Sequence, residues 1–136
     1  MKKQLEENLQ AQIIKDFNNK YCLKIHTPRY YIFSVQNELP TQLASMIASK
    51  VPHAVKEIVK RSLSICLSRA INMGMRKGVS DIIVLLPKRV VFVELKSEIG
   101  KQRKEQIEFQ KIVEGLGFEY YVVRSVDSFF DVIGDV

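Results

Sequence analysis

Two runs rich in Ile, Val, Leu and Phe, residues 79–86 and 90–96, stand on either side of Pro87-Lys88-Arg89. Two β-type runs joined by a short polar segment predict a hairpin. A turn centred near residues 87–88 sets Asp81 against Glu94, and directly paired side chains have Cβ atoms about 4.5–5.5 Å apart. Side chains alternate along a strand, so Phe92, Glu94 and Lys96 share one face while Val91, Val93 and Leu95 share the other. Two carboxylates and an ammonium therefore meet at one end of an otherwise apolar hairpin. Burying two carboxylates together is costly unless a cation joins them. Lys96 can be that cation in a cross-strand salt bridge. A divalent metal can be as well, since Mg²⁺ is bound by one or two carboxylates and keeps several waters. The hairpin by itself leaves both open.

Around this hairpin the chain alternates helical and extended patterns. Residues 3–18 read as an amphipathic helix, and Tyr30 to Val35 is the best strand within the Tyr/Ile/Phe/Val-rich stretch 21–36. Asn37-Glu38-Leu39-Pro40 breaks that strand. Thr41 is a plausible N-cap for a short helix to about Lys50, and Pro52 suits the first turn of a longer one over 53–73. Val55, Ile58, Val59, Leu63, Cys66, Leu67 and Ala70 keep helical spacing in it, and Gly74 closes it. After the hairpin, 102–114 reads as a helix and Phe118 to Arg124 as a strand, and Ser125 can cap a last helix over 126–133. That order predicts an α/β fold, a mixed sheet with helices packed on its faces.

Length and composition agree with one globular domain. The chain has 136 residues, 46% hydrophobic and 26% charged, and a domain near that size buries about 68–70% of its unfolded surface without a disulfide or structural metal. Lys plus Arg is 21 against 15 Asp plus Glu, a net charge of +6. That balance is compatible with a polyanionic partner and equally with an ordinary basic protein. Cys22 and Cys66 are far apart and read as reduced, buried small hydrophobes; with His26 and His53 they show no zinc-ligand spacing. The polar start Met1-Lys2-Lys3-Gln4-Leu5-Glu6-Glu7 is unlike a signal peptide, and no apolar run is long enough to span a membrane. A cytoplasmic location is expected.

Two helices place polar residues where apolar ones are anticipated. With Leu5 at zero on a wheel of roughly 100° per residue, Leu9, Ile13 and Phe17 define an apolar stripe, and Glu6 and Gln10 fall inside it. A charge facing the core wants a partner, although a first-turn Glu can also lie exposed and favour the helix dipole. In the helix after the hairpin, Phe109, Ile112, Val113 and Leu116 define the core face, with Gln106 at its rim. Lys101, Arg103 and Lys104 crowd the start of that helix, where they oppose the macrodipole. Phosphate contact would explain them, as would a solvated charge run.

Taken together, Gly78-Val79-Ser80-Asp81-Ile82-Ile83, then Val93-Glu94-Leu95-Lys96, then Gly100-Lys101 and Glu105-Gln106 through Phe109 resemble the virus-type replication-repair nuclease (VRR-NUC) domain, a branch of the PD-(D/E)XK nuclease superfamily. Glu6-Glu7-Asn8-Leu9-Gln10 resembles that family's E-x-x-L-Q helix, Asn37-Glu38 its motif after the first strand, and Phe118 to Asp127 its closing strand and turn. The resemblance covers most of the chain, least clearly over 41–70. Ser80 stands where the superfamily's name has Pro.

The resemblance implies a restriction-endonuclease-like core of order αβββαβ with extra helices at 41–73, all within one domain over 1–136. It implies metal-dependent hydrolysis of phosphodiester bonds, with Mg²⁺ or Mn²⁺ held by Asp81, Glu94, the main-chain carbonyl of Leu95, and Glu6. Lys96 would position or activate the attacking water, and Gln10 and Gln106 would shape the site. Arg76, Lys77, Lys101, Arg103 and Lys104 join Gln10 as candidate nucleic-acid contacts. Small stand-alone relatives of this kind look like phage or viral enzymes that act as homodimers on four-way (Holliday) junctions. The expected partners are therefore branched DNA and a second copy of the chain, whose surface could be the apolar helices of 41–73 if these do not simply cap the sheet. A nuclease for flaps, nicks or single strands, or an inert DNA-binding module, are the other readings.

Overall fold

The computed structural model describes residues 2–22, 30–35, 45–47 and 49–134. The expected Thr41 cap, the Asn37-Glu38 motif, His26 and the side chain of Cys22 lie outside the described residues. Two compact units divide the chain: Met1–Val35 with Gly78–Val136, and Gln36–Lys77.

The first unit carries the sheet. Its elements are helix α1 (Lys2–Phe17), strand β1 (Tyr31–Ser34), strand β2 (Ile82–Leu86), strand β3 (Arg89–Leu95), helix α3 (Lys104–Gly115), strand β4 (Glu119–Val123) and helix α4 (Val126–Ile133). The sheet order is β1-β2-β3-β4. Strands β1 and β2 pair antiparallel, as do β2 and β3, while β3 and β4 are parallel across the α3 connection. This is the αβββαβ order with one further helix, and the mixed sheet is flanked by helices as expected. The β2–β3 ladder runs from Leu86 opposite Arg89 to Ile82 opposite Val93, so the turn falls at Pro87-Lys88. Lys88 takes a left-handed φ of 64° there.

Alternation sorts the sheet into two faces. Ile32, Val84, Val91, Val93, Leu95 and Val123 are buried on one face, under Ile13 and Phe17 of α1 and Phe129 and Ile133 of α4. A single π-helical turn, Asn18–Cys22, continues α1 and brings the Tyr21 ring to 5.0 Å from Phe17. Ser125 caps α4, its hydroxyl accepting the Ser128 N–H at 3.1 Å. The other face holds Phe92, Glu94 and Tyr120, and α3 covers it through Phe109, whose ring lies 5.8 Å from Phe92 and 6.2 Å from Tyr120.

Several expected core positions point outward. Leu5 is 57% exposed, and Ile112 on α3 and Leu116 just past its end are 59% and 70% exposed, whereas Gln106 is buried at 3%. Apolar spacing alone does not mark the buried faces of these helices. Leu5 lies at the start of α1, a turn before its buried stretch, and the face of α3 against the sheet is centred on Gln106, Phe109 and Val113.

The second unit contains helix α2 (His53–Asn72), preceded by Pro52 at its N-cap and closed at Met73 before Gly74, whose φ is 102°. Residues 45–47 and 49–50 are helical. On α2, Val59, Leu63, Leu67 and Ala70 are half-buried, but Val55 and Ile58 are exposed and Cys66 is an exposed free thiol rather than a buried one. Among the described residues no helix is long and apolar enough to cross a membrane.

Candidate active site

The site grows out of the open end of the β2–β3 hairpin. Because Ile82 faces Val93, the next step of the same register sets Asp81 against Glu94. Asp81 is half-buried and its Oδ2 accepts the Leu95 N–H at 2.8 Å, which ties the approach to β2 to the end of β3. Ser80 is fully buried, and its hydroxyl donates to the Ile82 carbonyl at 3.2 Å. That bond satisfies the buried hydroxyl that Ser brings where Pro would have none.

Glu94 has no exposed surface. Its Oε1 accepts from the Lys96 ammonium and from the Gln106 side-chain amide, and the Tyr120 hydroxyl donates to Oε2 at 3.4 Å. Burial, then the charge of Asp81, pushes its carboxyl up to about 7, against the opposing pull of Lys96. Burial, then Glu94, likewise raises the Tyr120 phenol. Lys96 is itself buried, with Nζ 3.2 Å from the Leu95 carbonyl oxygen and its main-chain N–H donating to Val123 O at 3.0 Å.

Gln106 reaches Glu94 from the first turn of α3, and its Oε1 accepts the Arg103 N–H at 2.8 Å. Gly78 is what lets α3 come so close. Its φ is +81°, and a Cβ there would collide with the Glu105 carbonyl and stand 2.9 Å from Gln106 N.

Glu6 enters from α1. Its Oε1 accepts the Ser97 N–H at 3.0 Å, so the carboxylate is anchored one residue past Lys96. Gly100 makes room for it, since a Cβ there would lie 3.2 Å from Glu6 Oε1 and 3.0 Å from Ser97 Oγ. The Ser97 hydroxyl is buried and finds no hydrogen-bond partner among the described residues.

Asp81, Glu94, Leu95, Lys96 and Gln106 thus converge, with Glu6 held at the adjoining loop. Gln10 is half-buried one turn further along α1. Lys101, Arg103 and Lys104 are exposed at the start of α3, with Lys104 3.9 Å from Glu108. Arg76 and Lys77 are exposed in the second unit. Sequence reasoning missed Tyr120, the third side chain on the buried carboxylate. It also missed Arg124, whose guanidinium donates to the Ser97, Glu98 and Gly100 carbonyls, the last two at 3.1 and 3.0 Å. Tyr120 had one signal, its alternation onto the Glu94 face of the sheet.

Among the described residues no three of His, Cys, Asp and Glu stand close enough to enclose a metal. Asp81 and Glu94, with the Leu95 carbonyl, are nonetheless hard oxygen donors of the kind Mg²⁺ takes one or two at a time. Burial and, after it, the charge of Asp81 push Glu94 up, and a divalent cation would offset both, so the donor set fits one.

A family model described as the VRR-NUC domain matches residues 6–127. A solved structure described as a VRR_NUC domain protein superposes with a TM-score of 0.60 at 17% identity, covering 95% of this chain and 84% of that one, and so shares its fold. No curated protein matches. With a match that runs from Glu6 to Asp127 and takes in Asp81, Glu94 and Lys96, the chain belongs to the VRR-NUC family of PD-(D/E)XK-type nucleases.

Proposed function

We propose that this chain is a metal-dependent, structure-selective DNA endonuclease, a four-way junction resolvase that acts as a homodimer, with residues 1–136 as its single nuclease domain. The observation that carries the reading is the buried Glu94 carboxylate, held by Lys96 and Gln106 and set against Asp81. A carboxylate this costly to bury has no structural need to sit beside a second one.

Asp81, Glu94 and the Leu95 carbonyl would hold Mg²⁺ or Mn²⁺, with Glu6 nearby at Ser97. Such an ion, when bound, polarises the phosphoryl group and lowers the pKa of a water. The Lys96 ammonium holds the attacking water and stabilises negative charge gathering on the phosphoryl oxygens. Gln106 and Tyr120 fix the Glu94 carboxylate through both oxygens, so that it need not reorganise during the reaction. Lys101, Arg103 and Lys104 are exposed beside this end of the sheet and would take phosphate contacts. The proposed homodimer would suit the junction, because its two-fold symmetry would offer two sites to two symmetric strands.

The test is a cleavage panel of four-way junction, flap, linear duplex and single strand, each with Mg²⁺ and with Mn²⁺. Paired symmetric nicks in the junction are expected, and Glu94→Ala and Lys96→Ala should abolish them while the chain still folds. Full activity in either variant overturns the site; preference for a flap end overturns the resolvase and leaves a flap nuclease. Sedimentation that shows only monomer at micromolar concentration overturns the dimer.

A further inference from the structure

The charge of the chain is not shared evenly between its two units. Gln36–Lys77 carries four lysines and three arginines against Glu38 and Glu57, a net of +5, while the remaining residues carry fourteen basic against thirteen acidic, a net of +1. Nearly all of the +6 therefore belongs to the unit that contains α2 and none of the candidate catalytic side chains. The helix dipole accounts for little of this charge: Arg69 lies in the last turn of α2, where a cation is favoured, but Lys56 lies at its first turn, where a cation is not, and Lys60 and Arg61 lie away from both ends. Among the described residues the unit's ion pairing is Lys60 with Glu57 at 2.7 Å.

Arg61, Arg69 and Arg76 are all exposed, and no hydrogen bond or ion pair to their guanidinium groups is found among the described residues. On a wheel of roughly 100° per residue, Arg61, Ser68, Arg69 and Asn72 fall on one side of α2 together with the exposed Ile58 and Ile65, opposite the half-buried Leu63, Leu67 and Ala70. Arg, Ser and Asn are among the side chains that contact phosphate oxygens. A helix of 20 residues is about 30 Å long, close to one turn of duplex.

We infer that the α2 unit is the main DNA-backbone contact of this chain, a sequence-independent phosphate clamp built from Arg61, Arg69 and Arg76. The inference rests on the nuclease reading for its choice of polyanion. It assigns most of the electrostatic affinity to this unit rather than to Lys101, Arg103 and Lys104, and it predicts binding that holds any duplex arm irrespective of sequence.

The test is equilibrium binding of a labelled linear duplex and a labelled four-way junction in EDTA, by fluorescence anisotropy, from about 50 to about 300 mM salt. The wild-type chain is compared with R61Q/R69Q/R76Q, with the charge-preserving R61K/R69K/R76K, and with K15Q/K88Q/K111Q, which removes the same charge from exposed positions of the other unit. Loss of three phosphate contacts should make the log–log salt slope shallower by about 2–3 and weaken binding about tenfold or more at low salt. The lysine triple should restore the slope, and K15Q/K88Q/K111Q should leave it within about one of wild type. Equal weakening by both glutamine triples means that net charge alone is at work and overturns the inference. So does a glutamine triple that binds like wild type while the wild-type chain cleaves DNA, an outcome that leaves the nuclease reading standing. Failure of the wild-type chain to bind either DNA overturns both. Sedimentation closes the remaining route: if R61Q/R69Q/R76Q changes the oligomeric state and not the affinity per protomer, the face belongs to a second copy of the chain and the clamp is overturned.

Discussion

The Gln106 side chain faces Glu94 with its amide and the Arg103 main chain with its carbonyl. One amide therefore ties the N-terminus of α3 to the buried carboxylate, and its orientation is set from both ends. Rotation by 180° would oppose two oxygens at Glu94 and two donors at Arg103.

Gln106→Ala should accordingly cost about 1–3 kcal/mol of stability, because it removes a hydrogen bond to a buried carboxylate and the acceptor for the Arg103 N–H. Turnover of the cleaved DNA should fall about tenfold or more, since the carboxylate loses an orienting donor. Gln106→Glu is the harsher change: it keeps an acceptor for Arg103 N–H but sets a like charge against the buried Glu94. It should melt below the Ala variant and cleave more slowly. Thermal melts and cleavage rates on the same preparations check this, and a Gln106→Ala enzyme with wild-type turnover contradicts it.

Gly78 carries a different kind of constraint. Its left-handed φ and the Glu105 carbonyl against its absent side chain leave no place for a methyl group. The conformational term alone costs about 1–2 kcal/mol for a residue other than Gly, and the collision adds to it. Gly78→Ala should destabilise the chain by about 2 kcal/mol or more. It should also push α3 and Gln106 away from Glu94, so cleavage should fall further than the loss of folded protein accounts for. Gly115→Ala, with nothing within 4 Å of its Cβ, is the control that should do neither.

The hairpin was legible because two signals agree on it. Alternation fixes which residues share a face, and the short polar joint fixes the register, so Asp81 opposite Glu94 follows from counting. Gln106 was harder to read. A wheel drawn from apolar residues puts it at a rim, and only the nearness of Glu94 on β3 shows why an amide belongs at the centre of the buried face. Ile112 and Leu116 illustrate the converse, since spacing marks residues that could be buried and these two lie off the Gln106 and Val113 face that α3 buries. Arg124 left no local pattern at all, because its three carbonyl partners lie 24 to 27 residues earlier in the chain.

Away from the site, Arg89 grips Glu119 through two bonds of 2.7 and 2.6 Å and also donates to the Ile133 and Val132 carbonyls at 3.1 and 3.3 Å. The arginine thereby joins the β3–β4 edge to the last turn of α4. Hydrogen bonding from Arg89 holds the Glu119 carboxyl below its ordinary value. A depressed folded-state pKa means that the contribution is present above the unfolded value of about 4.3 and is lost as pH falls through the folded value. The pair is about one-third exposed on each side, so solvent screening keeps the contribution below about 1 kcal/mol. Glu119→Gln should melt slightly below wild type at pH 7, and the gap should close as the pH is lowered past the carboxylate range. A gap that is as wide in acid as at neutrality would mean that packing, not the ion pair, is what the substitution removes.

Arg124 follows β4 and spans the Ser97–Gly100 loop, while Glu6 takes the Ser97 N–H from the opposite side. The loop begins one residue after Lys96, so its rigidity sets how firmly the ammonium faces Glu94. Arg124→Ala removes donors to three carbonyls at an exposed position, where hydrogen bonds from a charged group exchange with water, and global stability should fall by only about 1 kcal/mol. Local order should fall much more. The Ser97 and Gly100 amides, which donate to Glu6 and to the Ser97 carbonyl, should exchange with solvent faster, while the amides within β3 keep their protection. Turnover should drop with little change in substrate KM, because the loss concerns positioning of Lys96 rather than contact with DNA. Arg124→Lys keeps one donor in place of a fork and should recover part of both effects. Unchanged exchange at Ser97 and Gly100 together with reduced turnover would assign Arg124 to the substrate itself.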